Sequence, residues 1–186
     1  MLIQRIVSYV VLAAAALVFI YSLGLVTDLH YNNFAYYSEN NVPKFEGAEI
    51  YLNIQPFNKQ LTTCGLVLIL SAIACFIFGS HSRRKYYIGN YITIVLNAVL
   101  SVAVSVFGII NVIEYKAQYL KIDFEALEEW QGLLKKPYSI SSFWFDSGYY
   151  VFTFVIIVAV ISLLSLAFKI YVMREEKKLL DGSKEV

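Results

Sequence analysis

Four long stretches of this chain carry no acidic or basic side chain, and they constrain what it can fold into. Arg5 to Asp28, Lys85 to Glu114 and Asp146 to Lys169 enclose three of them. Between Lys59 and Arg83 only His81 can titrate. An α-helix needs about 20 apolar residues to cross a hydrocarbon core of about 30 Å, and each stretch is that long or longer. Runs apolar on every side exceed the length of ordinary core helices and lack the polar face of a surface helix. Composition agrees: 59% of the 186 residues are hydrophobic and 16% are charged, against about 25% charged in an average soluble domain. The sequence therefore predicts an all-α integral membrane protein, a four-transmembrane-helix bundle with spans over 4–27, 60–80, 88–113 and 148–173. The first span is too long for a signal-peptide core and is read as a retained helix, although Ser22 and Gly24 form a small-x-small pair.

Charge sets the expected orientation. Arg5, the loop 81–87 and the tail 174–186 with neighbouring Lys169 place nine basic residues on one side, against six on the other. Positive charge in short loops stays inside, so both termini are expected in the cytoplasm. The loops 28–59 and 114–147 are then extracytoplasmic. A formal net charge of +1 gives no reason to expect a nucleic-acid partner.

Within the spans the informative residues are small or polar. Four alanines at 13–16 allow close helix approach. In the second span Ser71, Cys75 and Gly79 recur every four residues. In the third, Asn97, Ser101, Ser105 and Gly108 share one face, since residues four apart on a helix lie one above the other. Such stripes let backbones approach and gain dispersion contacts in lipid. An amide at the depth of Asn97 must find a partner. An interhelical hydrogen bond, worth about 0.6–2 kcal/mol, is favoured over a pore- or substrate-lining role. The fourth span is Leu-rich and β-branched and is expected to be the most lipid-exposed.

The two long loops carry the remaining individuality. In the first, Ile50, Leu52 and Ile54 alternate with polar residues, a period-2 pattern that reads as a strand. Residues 33–38 supply an antiparallel partner, which makes a short β-hairpin. In the loop before the fourth helix, Asp123 is a cap for an amphipathic helix over 124–135. Glu125, Glu128 and Glu129 lie near its start, and Pro137 stops it. Residues 138–144 read as a further strand. Tyr36, Tyr37, Tyr51, Phe124, Trp130 and Trp144 are the candidate partner-docking residues, because aromatics are enriched at interface cores. Tyr86, Tyr87, Tyr91, Tyr149, Tyr150 and Tyr171 read as interfacial anchors.

This order of elements resembles claudin-type tetraspans, which combine a first-loop sheet, a third helix that extends outward and a strand entering the fourth. The W-GLW-C-C signature of that family's first loop is absent, since no Trp and no Cys lies in 28–59. No residue role is carried over.

Recognisable chemistry is scarce. Cys64 and Cys75 fall eleven residues apart in one span and cannot pair. His30 and His81 lie at opposite faces, which excludes a haem held by paired histidines. No nucleophile elbow, Walker loop or Rossmann fingerprint occurs. No enzyme activity and no cofactor is expected. The leading reading is a structural or accessory subunit of a membrane protein complex, docking through small-residue helix faces and the aromatic outer loops. Its partners would be membrane lipids and other subunits, or copies of itself. Two alternatives stand beside it. One is a self-associating channel lined by Asn97, Ser101 and Ser105. The other is an enzyme or lipid-binding protein at the outer leaflet drawing on Asp28, Glu114 and Asp146.

Overall fold

The structure is a computed structural model and describes residues 2–33, 47, 49–80, 87–126 and 141–182. Four long helices account for almost all of these: α1 (Leu2–Asn33), α2 (Ile50–Ser80), α3 (Tyr87–Tyr119) and α4 (Phe143–Gly182). Each contains an apolar segment long enough to cross a bilayer: Ile3–Leu23, Asn53–Gly79, Ile88–Tyr119 and Phe143–Glu175. The helices run uninterrupted because breakers are rare. Among the described residues the one proline is Pro56, inside α2, where it removes a single N–H from the ladder.

The helices form a closed ring. Each packs on its sequence neighbour, and α1 closes the ring against α4. Gln4 of α1 bonds Asn90 of α3 and Lys169 of α4, and Gly79 of α2 lies beside them. Asn53, Tyr115, Lys116 and Asp146 meet at the opposite end. Neighbouring helices are therefore antiparallel. One end, the termini end, holds the start of α1 and the Lys169 region of α4; the other, the long-loop end, holds the start of α2, the end of α3 and the start of α4.

One apolar core runs through the ring, with Val11, Ala15 and Val18 of α1, Leu61 and Leu68 of α2, Val104 of α3, and Phe152 and Val155 of α4 among its members. Glycine allows three close approaches. A Cβ on Gly65 would lie 3.0 Å from the Phe19 Cα, so α1 and α2 touch nearly backbone to backbone. Rings fill the other two places: Phe152 over Gly108 and Tyr21 over Gly148. The two rings meet edge to face at 5.6 Å, a favoured aromatic geometry.

Several expectations require correction. No β-hairpin occurs among the described residues, and Ile50, Leu52 and Ile54 belong to the first turns of α2. The same stretch also carries a helical period. Ile50, Ile54, Phe57 and Leu61 step by four, three and four, and all are buried in the common core. Burial of that face outweighs the short alternation. The proposed partner strand falls mostly outside the described residues, and Asn33 is the last residue of α1. The second strand is also displaced: Phe143 and Trp144 open α4, while 138–140 lie outside the described residues. Nor is α4 the most exposed span. Of its apolar window 33% is buried, against 28% for α2.

The start of the helix after α3 is visible. Asp123 Oδ1 accepts a hydrogen bond from the Ala126 N–H at 3.1 Å, and Phe124–Ala126 are helical. Its continuation over 127–135 lies outside the described residues.

Candidate functional site

The side chains able to bind or react lie along the inside of the ring, and α3 carries most of them. Asn90, Asn97, Ser101 and Ser105 are buried at 1%, 3%, 7% and 0% exposure, on one face of that helix. In a bilayer a polar group without a partner is costly, so each one's partner decides what it does.

At mid-depth Asn97 finds its partner on another helix of the same chain. Asn97 donates from Nδ2 to Ser71 Oγ at 2.6 Å. The Cys75 thiol donates to the Thr93 carbonyl at 3.2 Å. The predicted stripes Ser71–Cys75–Gly79 and Asn97–Ser101–Ser105–Gly108 therefore face inward, joining α2 to α3 and α3 to α4. Gly108 receives Phe152 of α4, and Gly79 borders Gln4, Ser8 and Asn90. Small residues permit these approaches, as the sequence implied, but the bundle itself occupies the faces.

At the long-loop end Lys116 of α3 meets Asp146 of α4 at 2.6 Å. The Ser142 hydroxyl donates to the other carboxylate oxygen at 2.8 Å. Asp146 sits in the first turn of α4, where the helix dipole favours negative charge. This carboxylate serves as a helix-start anchor and cross-brace. Glu114 is exposed and accepts a long hydrogen bond from Gln118 at 3.4 Å. The Asp28 side chain is not among those described. Tyr115 donates to the Asn53 carbonyl of α2 at 2.8 Å and packs on Phe57 at 5.4 Å.

At the termini end Lys169 of α4 donates to Gln4 Oε1 at 2.7 Å, and Gln4 Nε2 donates to Asn90 Oδ1 at 2.9 Å. Lys169, grouped with the charged tail by sequence, thus bonds a partner inside the bundle. Among the described residues four buried polar side-chain atoms find no partner: Tyr21 Oη, Asn58 Oδ1, Asn90 Nδ2 and Ser105 Oγ.

The candidate docking residues separate. Phe124 packs edge to face on Tyr119 at 5.5 Å, and Trp144 is half-buried against the core. Both serve the chain's own fold. Tyr51 lies in α2. Tyr36, Tyr37 and Trp130 fall outside the described residues. Of the proposed anchors, Tyr149, Tyr150 and Tyr171 are exposed.

Sequence reasoning missed the Gln4–Asn90–Lys169 cluster, although part of its signal was present. Asn90 lies seven residues before Asn97 and extends the same face. Ser8 and Val11 follow Gln4 at helical spacing. The Lys169 link spans 165 positions, and no local pattern announces it. Among the described residues no group of three His, Cys, Asp or Glu side chains is placed to hold a metal ion. Comparison with protein-family models, curated proteins and solved structures finds no match to this chain.

Proposed function

We propose that this chain is a non-enzymatic accessory subunit of a larger membrane protein complex, and that α3 is the helix it docks with. One observation supports this reading above others. Between Ile88 and Ile113 every exposed large side chain of α3 is valine or isoleucine, except Leu96. Ile88, Ile92, Val95, Val99, Val102 and Val106 follow at alternating steps of four and three, the spacing that keeps a seam facing a second helix. Branched side chains hold one dominant rotamer in a helix, so they lose little freedom when packed. In lipid, where tails are as apolar as leucine, association depends on such packing. The outward faces of α1, α2 and α4 mix leucine and aromatic side chains with their branched ones.

The small-residue faces, once the expected docking route, are occupied internally. The route becomes the α3 seam together with the aromatic connections at the long-loop end. Both termini face the cytoplasm in this reading, on the strength of the basic residues at that end.

Extraction in mild detergent tests it. The full chain should co-purify with a stable membrane partner. Val95→Trp with Val102→Trp should release that partner without lowering the bundle's own melting temperature. A chain that elutes alone after gentle extraction would sink the reading. Orientation is read separately: a cysteine at Ser183 should resist a membrane-impermeant maleimide in intact cells, and labelling there would reverse the topology.

A further inference from the structure

The membrane-length segments of α2, α3 and α4 run to 27, 32 and 33 residues, where a hydrocarbon core of about 30 Å requires about 20. The cross-links at the two ends of the ring fix how much of that length is free of charge. On α4, Asp146 is tied to Lys116 and Lys169 to Gln4. The two residues lie twenty-three positions apart, about 34 Å at the helical rise of about 1.5 Å. On α3, Asn90 is bonded to the same Gln4 and lies twenty-four positions from exposed Glu114, about 36 Å. Two helices running in opposite directions thus agree. Exposed Tyr149, Tyr150 and Tyr171 stand near the same two levels of α4, the headgroup position that tyrosine favours.

α2 fits the same limits. Its exposed Lys59 lies twenty positions from Gly79, about 30 Å. Helical side chains lean toward their own N-terminus, which for α2 is the long-loop end. The Lys59 stem therefore carries its charge outward, toward the headgroups.

A lone helix sheds excess length by tilting. The closed ring resists this. Four packed helices make a body about 20 Å across, and tilting it sinks the polar groups of one edge as it lifts those of the other. Crossing angles of about 20° within a bundle shorten the projected distance only to about 32–34 Å.

We propose that the apolar belt of this bundle is matched to a thick bilayer, with hydrocarbon of about 32–36 Å set by long acyl chains or by sterol, and not to the average of about 30 Å. The inference rests on the membrane spans alone. It does not depend on the α3 seam or on any protein partner.

Thermal unfolding of the full chain in phosphatidylcholine bilayers of stepped chain length tests it, followed by circular dichroism. The midpoint should rise from dimyristoleoyl through dioleoyl to dierucoyl lipid. The last step should raise it by about 2–4 °C, the shift that a few Å of relieved mismatch gives in a chain of this length. Cholesterol thickens dioleoyl bilayers and should raise the midpoint there too. A midpoint that peaks in dioleoyl or shorter lipid overturns the proposal, as does one indifferent to chain length. A rise with cholesterol and none with dierucoyl lipid also overturns it, and assigns the effect to a bound sterol. Leu164→Lys separates matching from general stiffening by thicker lipid. Leu164 is 63% exposed and lies five positions inside Lys169, so the change shortens the charge-free face of α4 without touching the core. It should move the highest midpoint to dioleoyl lipid. A variant that keeps the wild-type order of lipids overturns the proposal, and a variant that does not fold leaves the wild-type series to decide.

Discussion

Asn97 of α3 donates its amide hydrogen to Ser71 Oγ of α2 across 2.6 Å, within the apolar spans of both helices. The pair is an interhelical brace. A double-mutant cycle with Asn97→Leu and Ser71→Ala should give a coupling of about 0.6–1.7 kcal/mol, the range for such bonds inside membranes. It is measured by unfolding in mixed micelles. Additive effects of the two changes would show that the bond contributes nothing.

Phe152 over Gly108 gives a stronger prediction. Any Cβ at 108 would overlap the ring, and Phe152 is fully buried in the core. Overpacking of this kind costs about 1–3 kcal/mol. Gly108→Ala should therefore lower the thermal midpoint, and Phe152→Leu in the same chain should recover part of the loss. Ala103→Gly, at an exposed position one turn away, is the control. It should cost only the propensity difference of about 1 kcal/mol. Equal losses at 103 and 108 would remove the ring from the explanation.

Gly47 ties the entry of α2 to the exit of α3. Its φ is 83°, a region open to glycine and strained for other residues. A Cβ there would lie 2.8 Å from the Ile122 Cα. Its carbonyl accepts from the Ile50 N–H at 3.2 Å, which starts the helix. Gly47→Val should destabilise by about 1–3 kcal/mol through backbone strain alone, with added cost from the contact. Limited proteolysis should show faster cleavage before residue 50. Wild-type cleavage rates in the variant would mean that the turn does not hold α2.

The four spans were legible in the sequence because the bilayer imposes a local rule. A charge in hydrocarbon is expensive wherever the chain goes afterwards, so long charge-free stretches identify the helices. The Asp123 cap was legible for a similar reason, since its hydrogen bond reaches only three residues ahead. The small-residue stripes marked faces of close approach, but a stripe does not name its partner.

What remained hidden depends on residues distant in the chain. Ile50, Leu52 and Ile54 satisfy a strand period, while Ile50, Ile54, Phe57 and Leu61 satisfy a helical one. Only the core formed with the other helices selects the second, by giving that face something to bury against. The same holds for the small-residue stripes. They read as surface for another protein until the closed ring shows α3, α4 and α1 already seated on them. Lys169 reads as part of a charged tail until α1 brings Gln4 to meet it. The sequence by itself determined that there are four membrane-length helices, because desolvation acts on each segment alone. The tertiary structure decided which faces are spent inside, because packing and hydrogen bonding act between segments that the chain order does not place together.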